Sequence, residues 1–220
     1  MRDFINIILE AQGELFQDYD KAHRNERLLK WLTSELTWNG NKPKVFYHAT
    51  TKDFDSFNIV NIGFASVLGM PSKTERHGAF FAVDPKFAQE YIEKENDYEN
   101  NGRVIPVYLN INNPFDLRDT GLSKILRNDD LVELLADNDI DIKSIAFHWY
   151  EHDRWQLFDG ADGEDFVNSL KKLGFDGAIM NERSQNADSG EVWVAFSPTQ
   201  IKSAIGNRGS FEPDTSDIRK

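Results

Sequence analysis

Apolar residues recur at helical spacing over residues 3 to 37. Phe4, Ile5, Ile8 and Leu9 form one set, and Leu28, Leu29, Trp31 and Leu32 form another. This spacing predicts a helical preface. Asn39-Gly40-Asn41-Lys42-Pro43 ends it, because a Gly/Pro/Asn cluster favours turns. Past that break come short apolar runs. Lys44 to His48, Ala79 to Ala82, Arg103 to Leu109, Asp176 to Met180 and Glu191 to Phe196 are read as strands. Thr51 to Gly78 reads mostly as loop, punctuated by Gly63, Gly69 and Pro71, and Asn112-Asn113-Pro114 is expected to stop the strand before it. Asp84-Pro85 has the signature of a helix start, with Asp84 as N-cap and Pro85 at the first helical position. Leu122 to Ala136 and Asp162 to Leu173 are expected as amphipathic helices, the second closed by Gly174. Strands and helices mix without regular alternation and without an internal repeat, which predicts α+β rather than a doubly wound sheet. The expected organisation is an N-terminal helical extension over 1–40, a body over 41–206 and a polar, loosely held C-terminal tail over 207–220.

Composition narrows the function classes. The chain has 220 residues, 40% of them apolar, enough for a substantial core. With 37 acidic against 25 basic residues the formal charge is −12, which disfavours a surface that coats nucleic acid broadly but permits one docked locally. The absence of cysteine rules out disulfides and thiolate zinc sites. No run approaches a membrane span, and Met1 to Gln12 reads as a helix rather than a signal peptide. A cytoplasmic protein without membrane partners is expected.

Candidate chemistry sits in three segments far apart in the chain. They are Val45-Phe46-Tyr47-His48-Ala49-Thr50, then Gly78-Ala79-Phe80-Phe81-Ala82 running on to Tyr91, then Gly190-Glu191-Val192-Trp193-Val194-Ala195-Phe196. Each sets a polar side chain at or just beyond the end of an apolar run. Taken singly, His48 is more often a satisfied core histidine, Tyr91 more often core, and Glu191 more often a solvated strand-start residue. Their order and context together favour a shared site. His148 and His152 have i, i+4 spacing, but Trp149-Tyr150-Glu151 between them is not the zinc-protease order and no third ligand is evident, so no metal is expected.

These segments resemble the ADP-ribosyltransferase fold in its His-Tyr-Glu, poly(ADP-ribose) polymerase-like branch. Tyr47-His48-Ala49-Thr50 looks like the family's histidine strand. Gly78 to Tyr91 resembles its Gly-x-aromatic-Phe-Ala segment, and Glu191 opens what looks like its glutamate strand. Gly102 to Leu109, Gly174-Phe175-Asp176-Gly177 and Ile201-Lys202-Ser203-Ala204 with Gly206-Asn207-Arg208-Gly209 are similar to segments of phage and prophage polyvalent-type members. The resemblance implies a split mixed β-sheet core with flanking helices. It implies NAD as co-substrate and transfer, mono by default, of ADP-ribose to a macromolecular acceptor, protein or nucleic acid.

The resemblance also assigns roles. Glu191, His48 and Tyr91 are the catalytic set. His48, Ala49, Thr50, Gly78, Phe80 and Tyr91 contact NAD, while Arg183, Gln185 and Ser189 lie in the acceptor loop over Asn181 to Gly190. Arg76, His77 and Lys73 are candidates to offset pyrophosphate charge. A phage- or toxin-like setting, with an antitoxin or inhibitor protein as partner, is implied by the same likeness. Two departures stand out. Ala49 replaces a frequent Gly, tolerable only at negative φ, and Ala88 stands where polymerases keep a Ser. The alternatives are a catalytically inactive binding module that kept the fold, or an NAD glycohydrolase.

Overall fold

The structure, a computed structural model, describes residues 20–67, 70–94, 102–118, 127–138, 154–183 and 189–220. Its helices are α1 (Asp20–Trp31), α2 (Pro85–Lys94), α3 (Asp129–Asp137) and α4 (Gly160–Lys172). Its strands are β1 (Trp38–Asn39), β2 (Lys42–Pro43), β3 (Phe46–Thr50), β4 (Val60–Val67), β5 (Met70–His77), β6 (Ala79–Ala82), β7 (Arg103–Leu109), β8 (Pro114–Asp116), β9 (Gly177–Arg183), β10 (Ser189–Ala195) and β11 (Ile201–Ser203). The class is α+β. The chain divides into two compact units: Met1–Phe57 with Phe81–Asn112 and Pro198–Lys220, and Asn58–Phe80 with Asn113–Ser197.

The first unit is built on β7, whose β-branched and aromatic run suits a strand paired on both sides. It pairs antiparallel with β3, setting His48 opposite Ile105 and Thr50 opposite Arg103. On its other edge it pairs antiparallel with β11, Ile201 opposite Leu109. Tyr47 in β3 in turn pairs with Ala82 at the end of β6. Phe46, Val107 and Leu109 are fully buried, and each such side chain contributes about 1.5–3 kcal/mol by leaving water. Asp84 accepts a hydrogen bond from the Lys86 amide at 2.8 Å, so the expected start of α2 is in place.

In the same unit, Leu28, Trp31 and Leu32 are buried with Tyr108, Ala204 and Phe211, while Leu29 on the other face of α1 is 53% exposed. The helix stops at Trp31, short of the expected residue 37, and Glu35–Thr37 is a 3₁₀ turn. The periodicity at Phe4, Ile5, Ile8 and Leu9 lies outside the described residues. The segment past Gly206 is a correction. It is not loosely held: Phe211 and Ile218 are buried, the Ser203 amide bonds to the Ile218 carbonyl at 2.8 Å, and Arg208 bonds to Arg219. Its polar composition concealed two apolar anchors and a set of backbone bonds.

The second unit pairs β10 with β9 antiparallel along their whole length, from Ser189 opposite Arg183 to Ala195 opposite Gly177. β8 lies parallel to β9, Phe115 beside Ala178 and Asp116 beside Ile179. Both β9 and β10 extend further into the expected loop than the sequence suggested. β7 ends at Leu109, ahead of Asn112-Asn113-Pro114 as expected, and Pro114 is the first residue of a separate strand, β8, a position where its missing N–H costs no ladder bond. The stretch expected as loop before Gly78 is a hairpin, with β4 and β5 paired from Val60 opposite His77 to Val67 opposite Met70. Alternating Val60, Ile62 and Phe64 carried that signal, and the glycines masked it.

α4 begins two residues before its expected start and ends as expected. Gly174 takes φ +85°, and its amide bonds to the Lys171 carbonyl at 3.0 Å. α3 starts later than expected, because Asn128 caps it by accepting from the Leu131 amide at 3.0 Å. The part of that prediction from Leu122 to residue 126 lies outside the described residues, as do His148 and His152.

Candidate active site

Glu191 is the third residue of β10, opposite Asn181 of β9. Strand alternation puts Ser189, Glu191 and Trp193 on one face. The Trp193 indole Nε1–H donates to Glu191 Oε1 at 2.8 Å. The other carboxylate oxygen, Oε2, accepts from Arg118 Nη1 at 2.7 Å. Glu191 keeps 25% of its side-chain surface exposed and Arg118 35%, so the pair is partly shielded yet reachable from solvent.

Arg118 is itself fixed from several directions. Its Nε donates to Asp116 Oδ1 at 3.0 Å and its Nη2 to Asp116 Oδ2 at 2.8 Å, a two-point fork on the last residue of β8. Its amide also donates to Asp116 Oδ1, at 3.0 Å. Buried Arg154 donates from Nη1 to the carbonyls of Leu117 and Arg118, the latter at 2.5 Å. The Leu117 amide donates to the Ile179 carbonyl of β9 at 2.7 Å. The bond to Asp116 raises the Arg118 pKa above its ordinary value; burial opposes this and the bond to Glu191 adds to it. The guanidinium therefore stays charged, between two carboxylates.

In the first unit His48 lies on β3 among aromatic rings. Phe57 stands edge-on at 4.9 Å between centroids, with Phe81 at 5.5 Å and Phe54 at 6.3 Å. Ala49 has no positive φ, so its methyl group is accommodated without strain. Thr50 Oγ1 accepts from the Lys52 amide at 3.1 Å, closing a turn. Tyr91 lies on α2 with its ring edge-on to Phe87 at 5.7 Å, and Ala88 on that helix is buried.

In the second unit Gly78 has φ +111°, and a Cβ there would come within 2.4 Å of Val194 Cγ1. Only glycine satisfies both demands. Phe80 is half-buried beside fully buried Phe81, as their alternation on β6 requires. Arg76 is held by Asp159, Nε to Oδ1 at 2.7 Å and Nη2 to Oδ2 at 3.1 Å, with Trp155 and Phe80 facing its guanidinium at 4.6 and 5.5 Å. It is bound up in its own unit, a setting the sequence did not suggest. His77 is buried, and the side chain of Lys73 lies outside the described residues. Arg183 and Ser189 are exposed partners at the last pair of the β9–β10 ladder, and Gln185 lies outside the described residues. Among the described residues no group of three His, Cys, Asp or Glu side chains is placed to hold a metal.

A family model described as ADP-ribosyltransferase in polyvalent proteins matches residues 39–211. The chain belongs to this family. No curated protein and no solved structure matches it. The α+β architecture is consistent with an ADP-ribosyltransferase fold. The matched span takes in all three segments that carried the resemblance, and it leaves α1 outside.

Reasoning from sequence missed three residues around Glu191 in this member of the ADP-ribosyltransferase family. Trp193 was findable, since a residue two along a strand shares its face. Asp116 and Arg118 were not. They follow a break signal, and only the parallel pairing of β8 with β9 brings them to Glu191.

Proposed function

We propose that the chain is an NAD-dependent mono-ADP-ribosyltransferase with a macromolecular acceptor. Nicotinamide in NAD is a pyridinium and departs neutral, so the glycosidic bond breaks without a general acid, unlike the two-carboxylate scheme of ordinary glycosidases. The strain on the enzyme is electrostatic: the ribose becomes cationic as the bond opens. One oriented carboxylate stabilises that charge and can accept from a ribose hydroxyl. The observation that carries this reading is Glu191, whose two carboxylate oxygens are held separately, one by Trp193 of its own strand and one by Arg118 just past β8. Each carboxylate oxygen can accept more than one hydrogen bond, so a carboxylate held at both oxygens can still meet a substrate hydroxyl.

In this proposal His48 bonds the adenosine ribose, the backbone at Ala49 and the Thr50 hydroxyl meet the carboxamide, and Gly78 contacts NAD through its backbone. Tyr91 stacks on the nicotinamide and Phe80 supplies a second aromatic wall. The acceptor nucleophile attacks the anomeric carbon of the nicotinamide ribose and displaces nicotinamide. Water in its place gives slow NAD hydrolysis. Arg183, Gln185 and Ser189 meet the acceptor. The chemistry requires no metal. A cytoplasmic, phage- or toxin-linked setting with a cognate inhibitor protein completes the proposal; the family's occurrence in polyvalent proteins bears on the phage link alone.

The test is incubation of the full chain with labelled NAD and cell lysate. Wild type should transfer label to macromolecules, and Glu191→Ala should lower transfer about 10²–10³-fold, the usual loss for a preorganised electrostatic group. Equal transfer by both would remove Glu191 from the chemistry.

A further inference from the structure

We infer that Arg118 is a positioning residue for Glu191, tying down one carboxylate oxygen while Trp193 ties down the other, so that the carboxylate meets substrate in a single orientation. The inference rests on the reading of Glu191 as the catalytic carboxylate. A glutamate near the start of a strand, one-quarter exposed, would otherwise sample several rotamers. Each productive encounter would then carry the cost of ordering it.

The geometry removes that freedom. A guanidinium presents its N–H groups in a rigid plane. Here Nε and Nη2 are spent on Asp116, which fixes the plane, and Nη1 is thereby aimed at Glu191 Oε2. The backbone under the guanidinium is also pinned, by the Asp116 carboxylate at the Arg118 amide and by Arg154 at two successive carbonyls. Support thus runs from β8 through Arg118 to a residue of β10. Arg118 thus bridges two carboxylates, those of Asp116 and Glu191. Lysine would keep the charge but lose the fork, so the two basic residues are not equivalent at this position.

The test uses the full chain and two readouts. The first is steady-state NAD turnover. Arg118→Gln should lower kcat about 10- to 100-fold, the scale expected when a reacting group is misplaced by about an ångström. KM for NAD should stay nearly constant, because a transition-state interaction is lost rather than uniform binding. Arg118→Lys should recover part of kcat. The second readout needs no activity: the indole N–H resonance of Trp193 in a ¹H–¹⁵N spectrum, identified by its loss in Trp193→Phe. It should move in Glu191→Gln and also in Arg118→Gln.

Unchanged kcat in Arg118→Gln, a loss confined to KM, or a Trp193 resonance coincident with wild type would each overturn the inference. If Arg118→Gln does not fold, Arg118→Lys and Asp116→Asn decide by the same readouts. If wild type fails to turn over NAD at all, the transferase reading falls. The indole resonance still decides whether Arg118 orients Glu191.

Discussion

Glu191 and Gly78 illustrate two kinds of constraint. Glu191 is held by side chains, Trp193 at one carboxylate oxygen and Arg118 at the other. Gly78 is held by backbone conformation and by Val194, and tolerates nothing larger than hydrogen. Gly78→Ala therefore combines an unfavourable φ with a contact far inside van der Waals range, and Val194 is buried and unable to swing away. We expect a loss of about 2–4 kcal/mol, from backbone strain and overpacking together. Denaturant midpoints measure it, and a variant as stable as wild type would contradict the assigned conformation. The sequence exposed residues of this kind unevenly. His48, Tyr91 and Glu191 stood out because each lies at or just beyond one end of an apolar run, Glu191 at the start of its own. Arg118 did not, because an arginine after a short polar-flanked segment looks like any solvated residue until its partner strand is known.

Strands and helices were legible where one face is apolar and the ends carry a cap or breaker. β7 has the bounds its sequence suggested, and α2 and α4 keep their start and stop signals. The misreadings share a physical origin. β4, β5 and β8 contain Gly or Pro and depend on partner strands for definition, so local propensity understates them. The C-terminal segment is the plainest case. Its composition is polar, yet fully buried Lys202 reaches it, donating from Nζ to the carbonyls of Thr215 at 2.7 Å and Asp217 at 3.2 Å.

Burial lowers the Lys202 pKa below the ordinary lysine value, against opposing effects of Asp217 and Glu212. The unfolded chain then holds this proton to higher pH than the folded one, so folding is favoured as pH rises through the window between the two values. That window closes at the unfolded lysine value, about 10.4. The stability of wild type relative to Lys202→Met should therefore increase between about pH 8 and pH 10. Urea midpoints at both values check it, and a difference that does not vary with pH would show that burial does not perturb this ammonium.

The division of the chain into two units separates the proposed chemistry by residue. His48 and Tyr91 belong to one, and Glu191 with its support to the other. Sequence spacing alone, 143 residues between His48 and Glu191 (191 less 48), gave no local cue to the shared role proposed for them. The likeness of order and motif supplied it, and the family match over residues 39–211 agrees at the level of the fold and of ADP-ribosyl transfer. The acidic balance, a formal charge of −12, gives the surface no general attraction for phosphate, so the proposed binding of NAD rests on local groups. Release of free nicotinamide from NAD by the purified full chain, followed chromatographically with wild type beside Glu191→Gln, examines that chemistry without any assumption about the acceptor. The account predicts steady release by wild type and a fall of about 10²-fold or more in the variant, which keeps the shape of the side chain and removes its charge. Equal release by the two proteins would contradict it.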